Sequence, residues 1–269
     1  MVSLAQLATR LGPRVPTCGD RPTPYRRRVP QTPTFSDVLR SLRLFGIDVG
    51  GALFEMARHR RGTATLTTDE RLRRRFRLSL QRAGVDLEVL QADRVPTSGG
   101  VIIMWNQTTH LDHLALAIAL PRSFVSLYNN EVARFPFYGA YLRDGGHFHV
   151  DRTDGEQWRA SIDRAASYVR AGGCVVVSPE GTRSFDGRLL KMKRGAFLLA
   201  VSSGQPIVCA TVVGGHQRMP RGSPIVRAGR LRVVFSAPLT LSTDVAALQA
   251  SVVETFERTL LEFRLVDGE

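Results

Sequence analysis

The sequence predicts an α/β fold in which helices flank a sheet, and three observations carry that prediction. From residue 85 onward, short runs rich in Val, Ile and Phe alternate with longer segments whose apolar residues recur at helical spacing. Three polar clusters each follow or end one of the short apolar runs, as site-bearing loops do in open α/β sheets. The chain has 269 residues, 43% of them hydrophobic, which is enough to bury one sizeable core with appendages.

Residues 1–34 are rich in proline, arginine and threonine, and form a flexible or disordered tail in this reading. Met1 to Leu11 allow a short amphipathic turn or two. Pro13, Pro16, Pro22, Pro24, Pro30 and Pro33 keep the rest extended. The arginine-rich, acid-poor composition also matches an organellar transit peptide or a misassigned start codon. Residues 35–83 read as an N-terminal basic helical region. Ser36 and Asp37 are expected to cap a helix running to about Arg61, which Gly46, Gly50 and Gly51 weaken. Its apolar residues, Phe45 and Leu53 among them, are punctuated by Arg40, Arg43, Arg58, Arg60 and Arg61. Such a helix either lies on a membrane interface with arginines at headgroup level, or packs conventionally. Thr68 and Asp69 open a second helix to about Ala83, with Leu72, Phe76 and Leu80 at helical spacing. Its arginines, Arg71, Arg73, Arg74, Arg75 and Arg77, form a solvated face or contact anionic headgroups. Gly84 stops it.

Residues 84–269 then read as one domain. Strands are expected at Val85–Leu90, Val101–Trp105, Phe124–Leu127, Phe148–Val150, Cys174–Ser178, Ile207–Val213 and Leu231–Phe235. Helices are expected at Leu111–Leu120, Phe135–Leu142, Glu156–Ala171, Lys193–Ser203 and Asp244–Phe263. The stretch from Gly195 to Gly215 carries no charge and approaches the length of a bilayer crossing. Ser202 to Pro206 break its middle, so it reads as a buried helix, a turn and a buried strand.

The formal net charge is +13, and Lys191 and Lys193 are the lysines of an otherwise arginine-based set. That balance suits an anionic partner: a membrane surface, a phosphorylated metabolite or nucleic acid. No aromatic-interleaved basic strand supports nucleic acid, which is therefore not expected as a partner. Cys18, Cys174 and Cys209 make no even set and no metal-like spacing, which argues for a reducing compartment without disulfides and against zinc. His147 and His149 alternate on one strand face, but without a third ligand at recognisable spacing no metal is expected.

The three polar clusters carry the chemistry. The first is Asn106-Gln107-Thr108-Thr109-His110-Leu111-Asp112-His113, after the Val101–Trp105 run. The second runs from His147 to Arg152. The third is Ser178-Pro179-Glu180-Gly181-Thr182-Arg183-Ser184, followed by Lys191 to Gly195. The third resembles an anion cradle: Gly181 allows close backbone approach, Thr182 and Ser184 offer hydroxyls, and Arg183 offers a planar fork. Lys193 and Arg194 start a helix, where backbone N–H groups also favour anions. Arg152, ending a strand, can point to the same place.

In order and spacing, these clusters resemble the sequence blocks of the glycerolipid acyltransferases, the family of the 1-acylglycerol-3-phosphate acyltransferases. The family's first block is Asn-His, a short polar stretch and Asp. Asn106 and Asp112 match it, and Gln107 stands where the histidine belongs. Gly146, Phe148, Val150, Asp151 and Arg152 resemble the second block. Pro179 to Ser184 match the third, Pro-Glu-Gly-Thr-Arg-Ser, closely, and Lys193-Arg194-Gly195 follows it as in the family. Pro206-Ile207-Val208 resembles a looser fourth block, and Phe135 to Gly139 the link between the first two. The resemblance covers roughly residues 70–240.

It implies the family's fold, a mixed sheet flanked by helices. It also implies O-acylation of a lysophospholipid, such as 1-acylglycerol-3-phosphate, from acyl-CoA or acyl carrier protein without a cofactor; the alternative acceptor is a specialised metabolite. An anionic membrane surface is then a partner, with the protein cytoplasmic and peripheral on the inner face of the cell membrane. In the family the histidine is general base on the acceptor hydroxyl, and the aspartate orients it. Asn106, Arg152, Glu180, Gly181, Thr182, Arg183, Ser184 and Lys193 are the substrate-binding positions it implies. Gln107 cannot accept or return a proton near neutral pH. Three explanations stand side by side: a deliberate inactivating substitution, a natural non-catalytic lipid-binding relative, or a base supplied instead by His110 or His113.

Overall fold

In a computed structural model of the chain, the structure describes residues 32–61, 70–134, 142–143, 145–151 and 153–267. Seven strands form one sheet: β1 (Val85–Leu90), β2 (Val101–Trp105), β3 (Val125–Asn129), β4 (Phe148–Val150), β5 (Cys174–Val177), β6 (Ile207–Val213) and β7 (Gly229–Phe235). The spatial order is β1-β7-β6-β2-β5-β3-β4. β6, β2, β5, β3 and β4 run parallel; β7 is antiparallel to β6, and β1 is parallel to β7. The sheet is therefore mixed, as expected.

Among the described residues six longer helices flank it: α1 (Phe35–Arg60), α2 (Glu70–Arg82), α3 (Leu111–Ala119), α4 (Gly155–Arg170), α5 (Arg194–Ser203) and α6 (Val245–Asp267). The period of two along β2 sorts the core. Val101, Ile103 and Trp105 face one layer with Leu44 of α1, Leu80 of α2 and Leu111, Ala115 and Leu116 of α3. Ile102 and Met104 face the other layer with Ile162 of α4, Phe197 of α5 and Phe256 of α6. All five side chains of β2 are buried, which is why the strand reads as an unbroken apolar run. The N-terminal helices thus share a core cluster with the sheet. Cys174 and Cys209 are free thiols buried on opposite faces, and burial pushes each up to about 12.

The helix termini show their causes. α1 is capped by Thr34, whose hydroxyl accepts from the Asp37 N–H at 3.2 Å while the Asp37 carboxylate accepts from the Thr34 N–H at 3.0 Å. This reciprocal capping box corrects the expectation that Ser36 and Asp37 cap the helix: aspartate takes the place of the usual glutamate. Asp154 caps α4 through the N–H groups of Glu156 and Gln157, each at 3.0 Å. Gly204 closes α5 at φ +63°, and β6 begins three residues later, so the uncharged stretch is a helix, a turn and a strand. Among the described residues no helix is long and apolar enough to cross a membrane. Arg73 of α2 bonds the carbonyls of Leu120 and Arg122 beyond the end of α3, so it holds the scaffold. The expected helix Phe135–Leu142 lies almost wholly outside the described residues.

Candidate active site

Parallel strands bring their C-terminal ends to one edge of the sheet. There the loops after β2, β5 and β6 meet, and each polar cluster takes its place from that geometry.

Asn106 continues β2 sideways. Its amide donates to the Val212 carbonyl at 3.0 Å and accepts from the Val212 N–H at 2.6 Å, extending the β2–β6 ladder by a side chain. The next residue, Gln107, is clamped through its backbone by the β5 loop. Its N–H donates to Glu180 Oε1 at 2.8 Å, and its carbonyl accepts from the Ser184 N–H at 2.9 Å. The half-buried Gln107 amide makes no hydrogen bond among the described residues.

Asp112 sits in the first turn of α3, where a carboxylate suits the helix N-terminus. It is fully buried, and its Oδ2 accepts from the N–H groups of Thr108 at 2.7 Å and Thr109 at 2.8 Å. Burial pushes its carboxyl up to about 7; the two N–H bonds oppose the rise and nearby Glu180 adds to it. Gly215, after β6, lies against it: a Cβ there would meet Thr108 Oγ1 at 2.5 Å and Asp112 Oδ1 at 2.7 Å.

Glu180 is 1% exposed, and both its oxygens are used, Oε1 by Gln107 N–H and Oε2 by Leu190 N–H at 2.7 Å. Burial pushes it up to about 7. The carboxylate therefore braces three segments: the Gln107 loop, its own loop and the stretch at Leu190. Gly181 turns the chain at φ +68°, a conformation that favours glycine. Ser184 is likewise turned inward, its hydroxyl donating to Asp186 Oδ1 at 3.0 Å. Thr182 and Arg183 are half-buried. Lys193 is the exposed N-cap of α5, and its N–H donates to the Pro179 carbonyl at 2.7 Å. Arg152 lies outside the described residues.

The histidines cluster nearby. His110 is the N-cap of α3; partial burial of its ring and, after that, the Arg183 guanidinium hold its imidazole down at about 4. Asp112 does not bond it. His113 stacks edge-on against Trp105, with ring centroids 4.7 Å apart, and burial holds it at about 4. His147 Nδ1 accepts from the Ser126 N–H at 2.8 Å, which fixes its tautomer, and burial holds it at about 4. Among the described residues no three His, Cys, Asp or Glu side chains gather as a metal site.

Two positions went unseen in the sequence. Gly215 had a visible signal, the Gly214-Gly215 pair ending an apolar run. Arg221, which bonds the third cluster from the β6–β7 connection, had none.

Fold and site together define an acyltransferase domain. Residues 86–213 match the family model described as Acyltransferase. The chain is 33% identical over 135 residues to the chloroplastic 1-acyl-sn-glycerol-3-phosphate acyltransferase of Brassica napus, covering 50% of this chain and 39% of that protein. It is 28% identical over 137 residues to the 1-acyl-sn-glycerol-3-phosphate acyltransferase of Borreliella burgdorferi, covering 51% and 55% respectively. The chain thus spans about half the length, or less, of these curated relatives. Its fold matches the crystal structure of the 1-acyl-sn-glycerophosphate acyltransferase PlsC of Thermotoga maritima with a TM-score of 0.70 and 18% identity, covering 85% of this chain and 96% of that one. Residues 86–213 thus form an Acyltransferase-family domain, and over that region the chain is similar to 1-acylglycerol-3-phosphate acyltransferases.

Proposed function

We propose that this chain binds a lysophospholipid of the 1-acylglycerol-3-phosphate kind at the sheet edge and acylates its free hydroxyl from an acyl thioester, at a rate limited by Gln107. The reaction joins the hydroxyl oxygen to the thioester carbonyl, expels the thiol and moves the hydroxyl proton to the sulfur. The observation that carries the reading is the clamp on Gln107. Glu180 and Ser184 hold its backbone on both sides, so the loop keeps its form although the side chain cannot move a proton. Thr182, Arg183 and Lys193 are the groups proposed to meet the phosphate, with Asn106, Gly181 and Glu180 shaping the loops that carry them. His110, held near 4 without a carboxylate partner, is a weak substitute base.

A second reading, a lipid-binding relative without turnover, is favoured by Gln107 itself. Acyl transfer from long-chain acyl-CoA to lysophosphatidic acid separates the two. The acyltransferase reading expects slow but measurable turnover by the native chain, about 10²–10⁴-fold faster in Gln107→His. Turnover by Gln107→His alone leaves the binding relative standing, and none by either sinks the substrate assignment.

The membrane surface enters through α1. Phe35, Leu42 and Val49 recur every seven residues along it and are 84%, 66% and 55% exposed, with Arg43 exposed beside them. An apolar stripe beside arginine suits an anionic lipid interface. Co-sedimentation with anionic vesicles, weaker with neutral ones and abolished by Leu42→Glu, is the expected result; equal recovery of Leu42→Glu removes α1 from the account.

A further inference from the structure

Arg221 reaches the third cluster from a different part of the chain, 39 residues beyond Thr182. Its Nη1 donates to Thr182 Oγ1 at 3.2 Å and to the Arg183 carbonyl at 2.6 Å. Its guanidinium carbon lies 4.0 Å from the centroid of the Phe185 ring. One planar group therefore holds three positions of one loop, and the stack accounts for a phenyl ring left 71% exposed.

We propose that Arg221 is a positioning residue that sets the loop of Thr182 and Arg183 for an anionic ligand; the inference rests on reading that loop as the phosphate cradle. Two bonds do the work. A threonine hydroxyl has one proton and two lone pairs, so when a lone pair takes the Arg221 N–H, the proton is left to donate outward. A carbonyl facing a phosphate would repel it, and Arg221 holds the Arg183 carbonyl on itself. The guanidinium removes one acceptor from the cradle and turns another group into a donor. Lysine keeps the charge but lacks the fork and the stacking plane.

The test is equilibrium binding by titration calorimetry of the native full chain, with a short-chain lysophosphatidic acid and the uncharged monoacylglycerol of the same chain length. The native protein is expected to prefer the phosphorylated lipid. Arg221→Ala is expected to bind it about tenfold more weakly while binding monoacylglycerol within about twofold of native. Arg221→Lys regains part of the loss. Phe185→Ala, a change at an exposed position that keeps both hydrogen bonds, weakens the phosphorylated lipid less, and carries the test if Arg221→Ala does not fold. Unchanged affinity for lysophosphatidic acid in Arg221→Ala and Phe185→Ala overturns the inference. So does equal weakening toward both lipids, which marks a general structural role. A native protein without preference for the phosphorylated lipid overturns the cradle reading, and this inference with it.

Discussion

The loop after β2 and the loop after β5 carry the two sequence blocks of the proposed site, and they differ in one respect. The β5 loop keeps its whole motif from Pro179 to Ser184, whereas the β2 loop keeps Asn106 and Asp112 but carries Gln107 between them. Their frames do not differ. Each turns a carboxylate inward, Asp112 and Glu180, each satisfied by backbone N–H groups and each pushed up to about 7 by burial. Holding the loops is thus a separate task from moving the proton. The bonds that hold position 107 run through its backbone N–H and carbonyl, so they do not depend on which side chain stands there.

Glu180 is where that comparison breaks most easily. Glu180→Gln sets an amide NH₂ against a buried backbone donor, with an expected cost of about 2–3 kcal/mol in urea unfolding at pH 5. The raised value of Glu180 means that its protonated form favours the fold. That contribution is complete below the ordinary carboxylate range and is lost as pH rises toward 7. The deficit of Glu180→Gln should therefore shrink between pH 5 and 7. A deficit that grows over that range would show that the carboxylate is held ionised. His113 and His147, held near 4, act in the opposite direction: they stay neutral in the fold, and their contribution grows as pH rises from 4 toward the ordinary histidine range. The slope should thus be read as a difference between variant and native chain.

Gly215→Ala presses on the other carboxylate. A methyl group 2.5 Å from Thr108 Oγ1 and 2.7 Å from Asp112 Oδ1 forces the β2 loop to shift, at an expected cost of about 1–3 kcal/mol. The β5 loop should be spared, so the ratio of lysophosphatidic acid to monoacylglycerol affinity should hold. A collapse of that ratio would mean that the two loops move together.

The strands were the most legible part of the chain. Val101–Trp105 and Ile207–Val213 are buried on both faces, so their residues are apolar without interruption and the boundaries fall where polarity begins. The cap of α1 was misread because Thr34, Ser36 and Asp37 are all capping residue types, and only geometry shows which pair is reciprocal. Within the candidate site the motif residues were visible, but their orientation was not. Glu180 reads like its neighbours Thr182 and Arg183 in sequence, yet its carboxylate is turned inward. Arg221 is one arginine among many in a segment without periodicity, and its contact with Thr182 depends on tertiary structure alone.

Whether the frame of the proposed site holds without a histidine at position 107 is decided by measuring binding and transfer side by side. Equilibrium affinity for lysophosphatidic acid and single-turnover acyl transfer should be compared in the native chain and in Gln107→His. The affinities are expected within about twofold of each other, with a transfer rate about 10²–10⁴-fold higher in Gln107→His. Equal transfer rates, or an affinity that appears only with the histidine, would contradict this expectation.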